Sequence, residues 1–418
     1  MTGALFEEDI MPLSADHHPF VDLNAEESAV LARVRQLVAD QIGPMANRVG
    51  REDAFAWDTF RLLSREGLIA NGFPREYGGM GATMMLRTRI VEEIARTCSA
   101  TAAMLVGTDG SASAIVAAGS QSLKREVLPL LASGERQCAF ALTEPQAGSD
   151  LGNLKTVARP VEGGVRVSGV KKFITRANVS DYFVVVAREP GSPPGTRHLM
   201  SYLVDRDSAG LAVSADAPKM GWYGLPIAEL TFEDVFVPLE RQLGERGVGM
   251  AIAQDLLLRA RISHAAIALG RMSGALQIAA QYTGKRYVRG QPISDHQGIQ
   301  WMLAEMGARI EAVRCVVYAT ARRYDRGDAD VALHGSIAKL LATDLSMKVS
   351  IECLQLLGAN GYLKDYPLER FVRDAKFNQI GEGTSEIHKN IIGAELAKRA
   401  AQMPPHPCLE IDPAVFAA

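Results

Sequence analysis

The sequence lacks a disulfide framework. Its five cysteines, Cys98, Cys138, Cys315, Cys353 and Cys408, are scattered over 418 residues without a C-x-x-C pair. That spacing argues against a zinc knuckle and predicts reduced, mostly buried thiols in a cytoplasmic protein. The sequence also lacks a surplus of one charge. Lys+Arg total 45 against 48 Asp+Glu, a net charge of −3, and no basic stripe with interleaved aromatics occurs. Nucleic-acid binding therefore has no electrostatic support. No uninterrupted run of about 18 apolar residues is found, so no membrane span is expected. The opening stretch MTGALFEEDIMPLSADHHPF is polar and broken, unlike a signal peptide. His17 and His18 within it read as solvated side chains, and no metal is expected.

What is present is an ordinary globular composition, 47% hydrophobic and 22% charged, in a chain long enough for two or three packed domains. Residues 1–23 read as a tail. Residues 24–136 read as helical: Asn24 with Glu27 suggests a capping pair, followed by Leu31, Val34 and Val38 on one face. The glycine-rich stretch GFPREYGGMGA (72–82) interrupts the helices, which resume over 84–118. Residues 137–246 change texture to an antiparallel β domain. Val165, Val167 and Phe173 alternate with polar neighbours after a turn at Gly163 and Gly164, and residues 182–186 and 199–204 read as further strands. Residues 247–402 return to helix, with Ile337, Leu341, Leu345 and Val349 recurring every fourth residue before a stop near Gly358 and Gly361. Residues 403–418 read as a second tail. The class is α+β multidomain.

Four segments carry candidate chemistry. In CAFALTEPQAGSD (138–150) a strand runs into a turn whose N–H groups and hydroxyls suit a pyrophosphate or the polar edge of a planar cofactor, or serve simply as a surface turn. In KKFITRAN (171–178), Phe173 and Thr175 share one side of a strand. A ring beside a hydroxyl suits a flat heterocycle, although a lone Phe is more often core. QLLGANG (355–361) closes a helix and offers an amide and a bare backbone. In IGEGTSEI (380–387), Glu382 lies between glycines that permit close approach of a substrate, and Thr384 is placed to cap the next helix.

These segments occur in the order and at the separations of a known family. From about residue 24 to 400 the chain resembles the acyl-CoA dehydrogenases. The likeness runs through PREYGG, SGERQCAFALTEPQAGSD, KKFIT, KMGWYGLPIAELTFEDVFVP, Arg261, GKRYVRGQPISDHQGIQWMLAEM, QLLGANGYLKDYPLERFVRDAK and GEGTSEI. It implies an N-terminal α-helical domain, a middle β domain and a C-terminal four-helix bundle, in a homotetramer or a dimer. It further implies FAD lined by Phe140, Leu142, Thr143, Gly148 and Ser149, with Phe173 and Thr175 near the flavin ring. Arg286, Gln297, Gln355 and Gly358 would grip the adenosine half across a subunit interface, and Thr384 and Glu386 would complete the site. Ser149, Arg261, Gly381 and Gly383 would meet the substrate, an acyl-CoA or acyl-carrier-protein thioester, and Glu382 matches the catalytic base.

The implied chemistry is α,β-desaturation: Glu382 takes the α-proton, the β-hydrogen leaves as hydride to flavin N5, and an electron-transferring flavoprotein takes the electrons. Burial should raise the pKa of the base. Several positions depart from the family pattern. Gly381 stands where many members have tyrosine, which should leave room beside the base. Leu257, Leu258 and Ala260 replace polar residues on the substrate helix, and Ala260 leaves the alternative base site of some relatives empty. Arg289, Ala359 and Leu225 also differ. The alternatives are a flavin-dependent oxidase or monooxygenase on the same fold, a non-catalytic thioester-binding protein, or an enoyl-thioester reductase running in reverse.

Overall fold

The computed structural model describes residues 18–404; His17, Cys408 and most of both proposed tails lie outside the described residues. Helix α1 (Ala25–Leu37) starts with the reciprocal capping box. The Glu27 N–H donates to the Asn24 side chain at 2.9 Å, and the Asn24 N–H donates to the Glu27 carboxylate at 3.1 Å. The helix then widens into a π turn (Val38–Ile42). Leu37 and Ile42 are buried on either side of Val38, which is half-buried against the core.

His18 is not solvated. It is buried edge-on against Tyr318 at 5.1 Å, with its Nε2 3.4 Å from both Cys315 Sγ and Glu311 Oε1. Neighbouring Val21 and Leu23 pack on the helical core and hold the segment there.

Helices α2 (Gly43–Val49), α3 (Trp57–Arg65), α4 (Met84–Ala95), α5 (Ser99–Ala118) and α6 (Gln121–Ala132) complete the first helical region. Helix α5 qualifies the expectation about apolar runs without overturning it, since polar residues such as Asp109 and Ser111 interrupt the helix. Its small residues make it long and apolar enough to cross a membrane, yet 83% of that window is buried inside the protein, as in a core helix. The four described cysteines are unpaired, three of them buried.

The middle region is one eight-stranded sheet in the order β6-β7-β3-β2-β4-β5-β8, with β1 joined to β4. The strands are β1 (Cys138–Ala141), β2 (Val157–Val161), β3 (Gly164–Thr175), β4 (Tyr182–Arg188), β5 (Leu199–Asp205), β6 (Leu211–Val213), β7 (Ile227–Pro238) and β8 (Gln242–Leu243). Pairing is antiparallel except that β1 runs parallel to β4, with a single parallel contact between β2 and β4. The sheet is therefore mixed rather than wholly antiparallel. Strand β1 enters directly from the helical region and has no hairpin partner to reverse it.

Helix α7 (Gly249–Lys285) is buried at every residue from Ile262 to Ala275, so it forms the axis of the second helical region. Around it stand α8 (Gln297–Arg326), α9 (Val331–Leu356), α10 (Leu368–Asn378) and α11 (Ser385–Ala400), with a small hairpin β9 (Tyr287–Val288) and β10 (Gln291–Pro292) between α7 and α8. The inner face of α9 only partly follows the predicted apolar row. Of that row Val349 is buried, Leu341 and Leu345 are half-buried against the core and Ile337 is half-buried, while Gly335, Ala338, Ala342 and Ser346 also face inward. A Cβ on Gly335 would meet Leu258 of α7 at 2.8 Å, so small residues set how closely the two helices approach.

Candidate active site

The segment after β1 is held by a buried ion pair. Lys171 of β3 lies 2.8 Å from the Glu144 carboxylate and also donates to the Leu142 carbonyl at 2.9 Å. Glu144 accepts in addition from the Lys155 and Thr156 N–H groups. Burial alone would raise the Glu144 carboxyl, but the Lys171 charge and these hydrogen bonds hold it below its ordinary value. Burial pushes Lys171 down to about 8. The Lys172 N–H donates to the Thr143 carbonyl at 2.8 Å. The turn carrying Thr143, Gly148 and Ser149 is thereby tied beside Phe173 and Thr175.

Phe173 is not core. It is 60% exposed, because the inward–outward alternation of β3 breaks twice against β7, between Val167 and Gly169 and between Lys171 and Ile174. Phe173 has φ 60 at the second break, which turns its ring onto the outer side with Thr175 while Ile174 is buried. An aromatic ring carried outward at a backbone cost is the feature a planar ligand would cover. Gly148 and Ser149 are exposed, Thr143 and Phe140 are half-buried, and Leu142 is buried. Among the described residues, the hydroxyls of Thr143, Ser149 and Thr175 are not engaged by another protein group.

Glu382 lies in the turn between α10 and α11. It is half-buried with φ 57, and Gly383 follows with φ 92. Thr384 caps α11 by accepting from the Ile387 N–H at 3.3 Å, and Glu386 is exposed in its first turn. Burial raises the Glu382 carboxyl above its ordinary value, opposed by the positive charges of Lys339 and then Arg261. Arg261 on α7 thus faces the base, with its guanidinium 3.5 Å from the Ser336 hydroxyl. Gly381 does not open a space. A Cβ there would meet the Phe377 ring at 2.7 Å, because the end of α10 folds back over its own side chain. Phe377 in turn packs on Trp222 at 4.4 Å, and Trp222 stacks on His264 at 5.6 Å. The Trp222 N–H groups donate to Asp374. This contact fastens the segment leading into β7 to the helix that carries the base loop.

The remaining predicted residues stand elsewhere. Arg286 follows α7, Gln297 opens α8, and Gln355 and Gly358 lie at the end of α9; all four are exposed. An Asn360–Tyr282 hydrogen bond of 2.8 Å joins those helix ends. Sixteen residues separate Gln355 from Lys339, about 24 Å along α9. These four are therefore grouped together but removed from Glu382 of the same chain.

The residue types read as chemistry did not include Lys339, Lys171, Phe377 or Trp222. The available signal for the two lysines was a charge inside an otherwise apolar run. A concavity of about 470 Å³ opens between the end of α5 and the start of α7, lined by Ala117, Val248, Ile252 and Asp255 among others. Asp255 precedes Arg261 by six residues, about 9 Å along α7.

Three family models match the chain in succession: acyl-CoA dehydrogenase N-terminal domain over residues 24–135, middle domain over 139–235 and C-terminal domain over 247–397. An acyl-CoA dehydrogenase of Bacillus subtilis (strain 168) is 36% identical over 373 residues, covering 89% of this chain and 98% of the relative. Among solved structures, butyryl-CoA dehydrogenase from Megasphaera elsdenii is similar with a TM-score of 0.86 at 31% identity, over 90% of this chain and 99% of that one. The prolyl acyl carrier protein oxidase AnaB is similar with a TM-score of 0.85 at 27% identity, over 90% of this chain and 100% of that one.

Proposed function

The chain belongs to the acyl-CoA dehydrogenase family of flavin-dependent oxidoreductases, and on that premise we propose that Glu382 is the base that removes the α-proton of an acyl thioester. The observation that carries this reading is the setting of Glu382. A carboxylate is held in a left-handed turn between two glycines, raised in pKa by burial and faced by two cations. A raised pKa makes it a better proton acceptor near neutral pH. The Glu382 N–H makes no backbone hydrogen bond among the described residues, which leaves it available to donate to the thioester carbonyl and stabilise the developing enolate.

The cofactor we propose is FAD. Phe140, Leu142, Thr143, Gly148, Ser149, Phe173 and Thr175 would hold its flavin end, and the outward Phe173 ring beside unengaged hydroxyls fits a planar heterocycle. When bound, it supplies the acceptor for the β-hydrogen. Arg286, Gln297, Gln355 and Gly358 are exposed and remote from Glu382, which supports an assembly in which they serve a second copy's cofactor, as a tetramer or dimer. Ser149, Arg261, Gly381 and Gly383 are the proposed substrate contacts, with Arg261 acting through its charge on Glu382. The unpaired cysteines are in keeping with a cytoplasmic location.

The test mixes the yellow protein with a panel of acyl-CoA and acyl-carrier-protein thioesters without oxygen and follows loss of flavin absorbance. Bleaching supports the reading; a protein that binds no flavin and responds to no thioester sinks it. Likeness to a carrier-protein oxidase keeps a second reading, in which dioxygen rather than an electron-transferring flavoprotein takes the electrons. Oxygen consumption matched to substrate distinguishes it.

A further inference from the structure

We propose, resting on the assignment of Glu382 as the base, that Lys339 is its positioning residue: the buried ammonium pins the Gly383 carbonyl and keeps a fixed positive charge beside the Glu382 carboxyl. Lys339 is wholly excluded from solvent, and its Nζ donates to the Gly383 carbonyl at 2.5 Å. Among the described residues it makes no direct ion pair. The acids that balance it, Glu382, Asp344 and Glu386, act at longer range. A buried cation is costly unless its surroundings use it. Here its one direct partner is the peptide that follows the base.

The backbone at that point needs holding. Glu382 and Gly383 are both left-handed, at φ 57 and 92, and for a residue with a Cβ that conformation is strained. Helix α9 supplies the grip twice. Five residues after Lys339, the Asp344 carboxylate accepts from Gln379 and from Ser385, each at 2.8 Å. These two bonds flank the turn while Lys339 holds its middle. A rigid helix thus fixes the base from below, and Arg261 on α7 adds a second positive charge.

The electrostatics separate this role from simple scaffolding. The groups facing the pair are Arg261 and His264 on α7, Asp344 on α9, and Glu386 and His388 on α11. Burial keeps both histidines neutral, pushed down to about 3 for His264 and about 4 for His388. Lys339 itself is brought down by burial to about 8. Below that pH its charge favours the anionic form of Glu382; above it the charge fades in the native enzyme too.

The experiment uses the FAD-loaded Lys339→Met enzyme and follows the anaerobic bleaching rate at saturating acyl-CoA from pH 6 to pH 9. Lys339→Met, which loses both the charge and the hydrogen bond, should run about tenfold below wild type at pH 6, a deficit that narrows above pH 8 without vanishing, with flavin content unchanged. Lys339→Gln, which can still donate to Gly383 but lacks the charge, should show the same deficit at pH 6 and converge with wild type above pH 8, and it carries the test should the methionine variant not fold. A loss equal at every pH, or no loss, overturns the proposal. Glu382→Gln run alongside keeps the two claims apart. Bleaching that survives that change removes the base assignment, whereas a Lys339 profile parallel to wild type removes only the positioning role.

Discussion

The Phe377 ring fills the space that a side chain at Gly381 would need, 2.7 Å from where its Cβ would stand. The glycine before the base is therefore a packing requirement rather than an opening. Gly381→Ala should cost about 1–3 kcal/mol through overpacking, and adding Phe377→Leu should recover most of it. Chemical unfolding of the single and double variants checks this; additive costs would contradict it.

Phe173 is largely exposed in a left-handed conformation, so its ring contributes little to the fold and is free to serve a ligand. Phe173→Ala should change stability of the flavin-free protein by no more than about 0.5 kcal/mol. Flavin affinity should fall by about tenfold, since a stacked ring is worth roughly a kcal/mol. Titration of the stripped protein with FAD reads the difference.

The Lys171–Glu144 pair is buried and supports the turn that carries Thr143 and Ser149. Glu144→Gln leaves a buried ammonium without its counter-charge and should cost about 3–5 kcal/mol. Flavin retention should fall with it. The double variant with Lys171→Met should be more stable than Glu144→Gln alone, measured by urea unfolding.

His264 and His388 are buried and stay neutral well below their ordinary titration range. On unfolding each would bind a proton once the pH drops below about 6.5. The unfolded chain then carries the extra protons, so stability present above that pH is lost as the pH falls toward 4. The expected loss approaches about 1.4 kcal/mol per pH unit for each histidine. Unfolding at pH 7.5 and pH 5 measures it, and His388→Gln should flatten the slope.

The helical–sheet–helical order was legible because hydrophobic periodicity changes at its boundaries, and the Asn24–Glu27 capping box could be read from side-chain chemistry alone. Glu382 was legible through its glycine neighbours and its motif context. The outward turn of Phe173 was not, because a bulge breaks strand alternation without changing the residue types. The inner face of α9 was partly hidden for a different reason. Close helix packing there uses glycine, alanine and serine, so most of the large apolar residues that mark periodicity are only half-buried. Lys339 and Gly383 are 44 positions apart, and only the folded chain brings them together. Gly381 misled because the group that fills its space belongs to the preceding helix.

Glu382 is assigned as the acceptor of the α-proton. That assignment is tested most directly by anaerobic single-turnover bleaching of FAD-loaded Glu382→Gln by a thioester that reduces the wild type. Full flavin content with a rate lower by about 10²–10⁴-fold is expected. Bleaching at the wild-type rate would contradict it.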